Sequence, residues 1–419
     1  MSAGTWPSEG LAGLLILLTT LLVAGVAWHA RGHLREHGVP AGRSHWLWPL
    51  LAAVWGFLTL IWLVSDLLTL YLALEGLGLC AVALMWLPAS REARRASLYY
   101  LLASLSGSAL ILTSALLLYR HYGHLDFALL AQVSAGAPQW RWLALAGLST
   151  GLLVKAGAFP LHTWLPPAHA AAWAPVSALH AALIIKASLF LLIKLWWQLG
   201  PAAAPSMQLL GWLGAAAVLW GGLLAWRQAT LKKVVAYSTV SQMGYLLLLF
   251  PLMASAEEGA RQLAWQATWL LFITHALAKA AMFMAAGNLV LAMGCDDLEG
   301  LTGVGQQLPL SLLVFGVAGV SIMGLPPSGA FTAKWLLLES ALAAGQWPWL
   351  LLLGLGSLLS AAYLFRVFAY CFAARAEAPP CRRVPSHLDI VPLGLALAAL
   401  FLGLLAGWPV AWVQGGGLP

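Results

Sequence analysis

The sequence predicts an all-α polytopic membrane protein of about 12 transmembrane helices, with two inverted five-helix repeats and two broken helices. Three observations carry that prediction. The 419 residues are 62% hydrophobic and only 8% charged, with a mean hydropathy of +0.86, a balance foreign to soluble domains. Apolar runs of the roughly 20 residues needed to cross a hydrocarbon core recur along the whole chain. Lysines beside proline breaks lie inside two of those runs.

The first run, 11–29, follows "MSAGTWPSEG", which lacks the basic segment of a cleaved signal and so reads as a first spanning helix. Further runs lie near 46–64, 68–88, 98–118, 142–159, 174–198, 208–226, 234–253, 263–292, 309–343, 348–372 and 388–409. Asp66 precedes the third run as an N-cap. The fifth contains Lys155, followed by Pro160, Pro166 and Pro167, and the tenth is interrupted by "GLPPSGAF" before Lys334. Helices two to six and seven to eleven thus each hold a lysine beside a proline break. The chain divides into an N-terminal helix and cytoplasmic loop (1–45), a first repeat (46–199), a second (208–372) and a C-terminal helix (388–419). Five helices is an odd number, so successive repeats run in opposite directions, as in many transporters with a midplane site.

Loop charge sets the expected orientation. Odd-numbered loops carry twelve basic residues: Arg31, Arg35, Arg43, Arg91, Arg94, Arg95, Arg227, Lys232, Lys233, Arg375, Arg382 and Arg383. Even-numbered loops carry three, Arg120, Arg141 and Arg261. The excess places the odd loops in the cytoplasm and both termini outside a cell inner membrane. The 23 tryptophans suit a chain with many membrane–water interfaces. The formal charge of +7 does not signal nucleic acid, because the arginines lie in short loops between apolar runs. Cys80, Cys295, Cys371 and Cys381 lack metal-finger spacing and read as buried apolar residues.

The informative residues are the charges inside the runs. Glu75 lies near the middle of run three, Lys155 in run five, Lys186 in six, Lys279 in nine and Lys334 in broken run ten. Each costs roughly 2.5–3.5 kcal/mol at a helix centre. Structural ion pairing accounts for one or two of them, but not for four lysines against one or two acids. Burial and like-charge repulsion lower a lysine's pKa, so such a lysine can take up and release protons. A glutamate near Lys155 would hold its proton and, on moving away, expel it. His275 and Lys279 share one helix face, suited to a proton wire. His180 and Lys186 lie roughly 120° apart on an ideal helix and share a path only through bridging groups. Lys194, beside Trp196 and Trp197, reads as a snorkelling lysine. Glu339 is either a partner for Lys334 or an interfacial residue. His29, His33 and His37 have metal-compatible spacing but run into "GVP", and read as a solvated segment. No HExxH, P-loop, GxGxxG, haem or iron–sulfur spacing or serine elbow is present, so neither a cofactor nor a metal is expected.

At these residues the sequence resembles a known family. "VKAGAFPLHTWLPPAHAAAWAPVSALHAALIIKAS" resembles the signature of the antiporter-like subunits of respiratory complex I. That family also includes subunits of Mrp-type sodium/proton antiporters, membrane-bound hydrogenases and DAB-type inorganic-carbon systems. "LKKVVAYSTVSQMGY", "HALAKAAMFMAAGNLV" and "GLPPSGAFTAKWLLLESAL" resemble its later motifs in the same order. The resemblance spans about residues 55–372. It implies a core of fourteen helices in that family, with run one here matching the third. It also implies a proton path of Glu75, Lys155, His180, Lys186, His275, Lys279 and Lys334, with Lys155 as central carrier and Lys334 as terminal site. The missing first two helices and the absence of a long lateral helix point to an assembly smaller than standard complex I.

The expected function is a proton-conducting subunit of a multi-subunit membrane complex, moving protons, with sodium as a further candidate ion. Expected partners are a redox arm, antiporter subunits or a zinc-dependent carbon-hydrating subunit, with the lipid bilayer around them. A structural anchor of the same fold without transport is the alternative.

Overall fold

The computed structural model describes residues 8–133, 138–200, 205–374 and 381–413, so Arg375 of the loop-charge count lies outside the described residues. The principal helices in chain order are α1 (Ser8–Glu36), α2 (Leu47–Leu63), α3 (Leu67–Trp86), α4 (Arg91–Tyr122), α5 (Pro138–Lys155), α6 (Leu165–Ala171), α7 (Ala174–Leu179) and α8 (Ile185–Leu199). They continue as α9 (Pro205–Arg227), α10 (Leu231–Leu247), α11 (Glu258–Met293), α12 (Pro309–Met323), α13 (Gly329–Ala343), α14 (Trp347–Phe372) and α15 (His387–Phe401). Among the described residues, nine helices are long and apolar enough to cross a membrane. The other three expected runs are the two broken ones and the last, whose helix α15 has 15 residues. Asp66 caps α3 as expected, accepting from the Thr69 amide at 2.8 Å.

The breaks in α5 and α12 have one construction. Gly157, at φ +60°, donates its amide to the Val154 carbonyl at 3.1 Å, and Ala158 donates to Leu153 at 3.0 Å. Gly324, at φ +79°, donates to Ser321 at 3.2 Å, and Leu325 donates to Val320 at 3.2 Å. Both are paired closures in which a left-handed glycine satisfies carbonyls that the ended helix frees. The sequence alone assigns the opening to the prolines. In the structure the glycines end the helices; Pro160, Pro326 and Pro327 lie within the breaks, and Pro166 and Pro167 form the first turn of α6. Lys155 is the last residue of its half-helix, whereas Lys334 lies after its break, in α13.

The two inverted repeats are legible in matching ties. The Leu67 amide that begins α3 donates to the Leu125 carbonyl, and the Leu231 amide that begins α10, five spanning segments later, donates to Asp296. Short bridges join Asp66 to Asp126 and Thr230 to Asp297. Lys194 in α8 donates to the Val64 carbonyl just past α2, at 2.7 Å. Five segments on, Arg366 in α14 donates to the Gln228 carbonyl just past α9, at 2.7 Å. Lys194 is therefore not a snorkelling residue: its side chain is buried, held to a carbonyl 130 positions away.

The centre is formed by the segment Ala174–Leu199 and by α11, which are buried almost throughout. Helices apolar on every side are interior helices. Around them α4 and α5 approach closely at small residues. A Cβ on Gly107 would lie 2.8 Å from the Gly151 carbonyl oxygen, so only glycine permits this approach.

Candidate functional site

Glu75 on α3 and Lys155 at the end of α5 form an ion pair of 3.0 Å. Ser108 donates to Glu75 Oε1 at 2.6 Å, and Lys155 Nζ donates to Ser104 Oγ at 3.0 Å, so α4 supplies a hydroxyl to each member. Lys155 is 5% exposed at its side chain and Glu75 21%, which puts the acid at the edge and the base inside. The α5 break is fixed from the far side by Trp164, whose indole donates to the Val154 carbonyl at 3.0 Å. A helix C-terminus carries partial negative charge, so the end of α5 favours a cation at Lys155.

From this pair a line of polar groups leads inward. A small cavity beside Lys155 is lined by Tyr100, Ser104, Ile184 and Ser188, among others, which carries it to the central segment. Tyr100 stacks on Trp164 at 4.4 Å between centroids and meets the His180 ring edge-on at 5.3 Å. His180 opens a π-helical turn, His180–Ile184, between α7 and α8. That turn holds an extra residue, so the angle from His180 to Lys186 expected for an ideal helix does not apply. Such turns recur at functional sites.

The four expected lysines differ in what receives them. Among the described residues, only Lys155 of the four has an acid within ion-pair distance. Lys186 donates to the Phe272 carbonyl at 2.9 Å and sits 5.0 Å from the Phe272 ring centre. Lys279 donates to the Val235 carbonyl at 3.0 Å and to Ser238 Oγ. Lys334 reaches back to the carbonyl of Met323 at 2.9 Å, freed where α12 ends, and to Ser357 Oγ at 3.2 Å. It also lies 4.5 Å from the centre of the Tyr245 ring. Glu339 is not its partner, for it accepts from the Trp335 indole at 2.7 Å on the exposed side. His275 interacts electrostatically with both Lys186 and Lys279, which joins the central pair.

Three contributors are not evident from the sequence. His169 on α6 is fully buried, 5.0 Å from His180 between ring centres and stacked on Phe283. Its one signal is its place in "LPPAH", directly after the break. The second is a face of α10 on which Ser238, Gln242 and Tyr245 follow at helical spacing. Ser238 takes Lys279, Gln242 donates to the Ile322 carbonyl at 3.3 Å, and Tyr245 covers Lys334. This face bridges the central lysines to the terminal one. The third is the histidine row of α1, expected as solvated: His29 and His33 are each 1% exposed. They are buried because α1 packs against α11 and α15.

Among the described residues both ring nitrogens of His169, His180 and His275 lack a hydrogen-bond partner. Buried polar groups are nearly always satisfied, so these six nitrogens stand apart from most other buried polar groups.

The geometry defines a class, a helical membrane subunit built on inverted repeats around a buried row of lysines and histidines. Residues 64–360 match the transmembrane family of NADH:quinone oxidoreductase and the Mrp antiporter, and the chain belongs to that family. It is 32% identical over 416 residues to NADH-quinone oxidoreductase subunit N of Desulforudis audaxviator, covering 94% of this chain and 81% of that one. It is 28% identical to a Na(+)/H(+) antiporter subunit of Bacillus subtilis, covering 99% and 84%. Its fold superposes on a chain of the Mrp complex from a Dietzia species with a TM-score of 0.87 at 22% identity, covering 97% of this chain and 83% of the other. With a chain of respiratory complex I from Thermus thermophilus the TM-score is 0.78 at 28% identity, covering 99% and 90%. The protein is thus an antiporter-like, multi-pass membrane subunit.

Proposed function

We propose that this chain conducts protons within a multi-subunit complex of the plasma membrane. The route runs from Glu75 and Lys155 through His180, Lys186, His275 and Lys279 to Lys334. The observation that carries the reading is that three of its four lysines are held by carbonyls, hydroxyls and ring faces and only one by an acid. Carbonyls and ring faces favour a cation without fixing it as a carboxylate would, so each lysine can be loaded and emptied as its neighbours change charge. Glu75 acts as the switch: paired with Lys155 it stabilises the proton, and its loss of influence expels it inward.

The same reading takes 46–199 and 208–372 as the two five-helix repeats and places both termini on the outside. The relatives favour a redox arm or antiporter subunits as the partner over a carbon-hydrating protein. The test is Lys155→Ala in the assembled complex. Complex assembly should persist while coupled proton movement is lost. Undiminished proton movement would leave only the structural anchor.

A further inference from the structure

A second set of ionisable groups lies outside that route, where α1, α11, α12 and α15 meet. His29 and His33 on one face of α1, and His37 in the turn just past its end, follow at four-residue spacing, with ring centres 5.4 Å and 4.5 Å apart. Their exposure is graded: His37 is exposed, whereas His33 and His29 are buried. Among the described residues, Nδ1 of His29 and of His33 has no hydrogen-bond partner.

The inner end of the row is tied to a buried acid. His29 Nε2 donates to Asn288 Oδ1 at 3.1 Å, and Asn288 Nδ2 donates to Asp389 Oδ1 at 2.8 Å. Ser311 donates to the same carboxylate, 2.9 Å from either oxygen. An amide cannot pass a net proton without changing tautomer. Asn288 therefore transmits the charge of Asp389 to His29 while keeping the proton on the histidine side. Among the described residues, the remaining charged or titratable groups facing the row are Lys232 of α10, His387 of α15, and the Glu36–Arg382 ion pair at its mouth, 2.8 Å long.

The row also aligns with the central line. Lys279, Phe283 and Gly287 follow at four-residue spacing on α11. His33 lies against Gly287, His169 stacks on Phe283, and Lys279 completes the face. Lys232 interacts electrostatically with both His33 and His169, and its Nζ donates to the Ala170 and Ala172 carbonyls at the end of α6, at 3.2 Å and 2.8 Å.

Taking the proton line of the preceding section as given, we propose that the α1 histidines are its mouth on the side of the membrane that carries Glu36, Lys232 and Arg382. His37 exchanges protons with water, His33 carries them past Lys232 to His169, and His29 with Asp389 supplies the buried counter-charge that lets the row hold a proton. Each step moves one proton between ring nitrogens through intervening water, with no bond change at carbon and no redox partner.

The test uses membrane vesicles carrying the assembled complex, with proton movement followed by a pH-sensitive dye during turnover. His37→Ala alters a surface residue, and His33→Phe keeps a ring in the stack that cannot carry a proton. Both should slow proton movement about a hundredfold or more, the loss that removing a proton-transfer group typically produces. Imidazole in the medium should restore His37→Ala, because a mobile base replaces the lost one. Full rates in both variants, with Lys155→Ala blocked, would overturn the mouth and leave the central line intact. Full rates in Lys155→Ala as well would remove the line itself. A loss in His37→Ala that imidazole does not restore would also overturn the mouth, since it would mark a structural role.

Discussion

Glu75 and Lys155 are the residues on which the proposed switch depends, and their contact has a measurable energy. A buried pair broken on one side leaves an uncompensated charge, at a cost of about 3–5 kcal/mol, reduced here because Glu75 is partly exposed. In a double-mutant cycle on thermal stability, Glu75→Gln and Lys155→Met should therefore couple by about 1 kcal/mol or more. Additive losses would dissolve the pairing. Glu75→Asp should retain more transport than Glu75→Gln, since it keeps the charge. At this scale the sequence locates the lysines but not their partners. Lys194 reads as snorkelling because its flanking tryptophans are local, whereas the Val64 carbonyl that holds it is 130 positions away. The relation of His180 to Lys186 is hidden in the sequence because a π-helical turn leaves no mark in apolar spacing.

The two broken helices turn on glycines in the left-handed region. Alanine at Gly157 or Gly324 costs roughly 1–3 kcal/mol for the strained backbone alone. At Gly324 the added Cβ would also lie 2.8 Å from Cδ of Lys334. Gly324→Ala should therefore lower both the melting temperature and the transport rate. Gly123→Ala is the control, because Gly123 has φ +75° with open space around it and should lower stability alone. Equal transport losses in the two variants would sever the Gly324 break from the proton route. A cysteine scan of 328–336 with a small impermeant thiol reagent should label positions beside Lys334, because a terminal proton site needs water there. The prolines make both breaks visible in the sequence. The α10 face of Ser238, Gln242 and Tyr245 stays hidden, since small polar residues in a membrane helix equally well bond their own backbone.

For the whole molecule, the sequence discloses the architecture because membrane crossing imposes length and apolarity on every run. The repeats are visible there only as two lysines beside prolines. The matching ties from Lys194 and Arg366 are side-chain bonds to distant carbonyls that no residue pattern encodes. The α1 histidines read as solvated because their burial comes from helices more than 200 positions away, as the His29–Asn288 separation of 259 shows. Side-selective labelling of single cysteines at 40–44 and 254–257 should place these two segments on opposite sides of the membrane, as the loop charges predict. The most direct test of the proton route is Lys155→Arg. Arginine keeps the positive charge and the bond to Glu75 but does not release its proton. In vesicles carrying the assembled complex, this variant should assemble normally, keep the thermal stability of the ion pair and move no protons during turnover. Proton movement at the wild-type rate would contradict the account, because Lys155 would then serve as a fixed charge and not as a carrier.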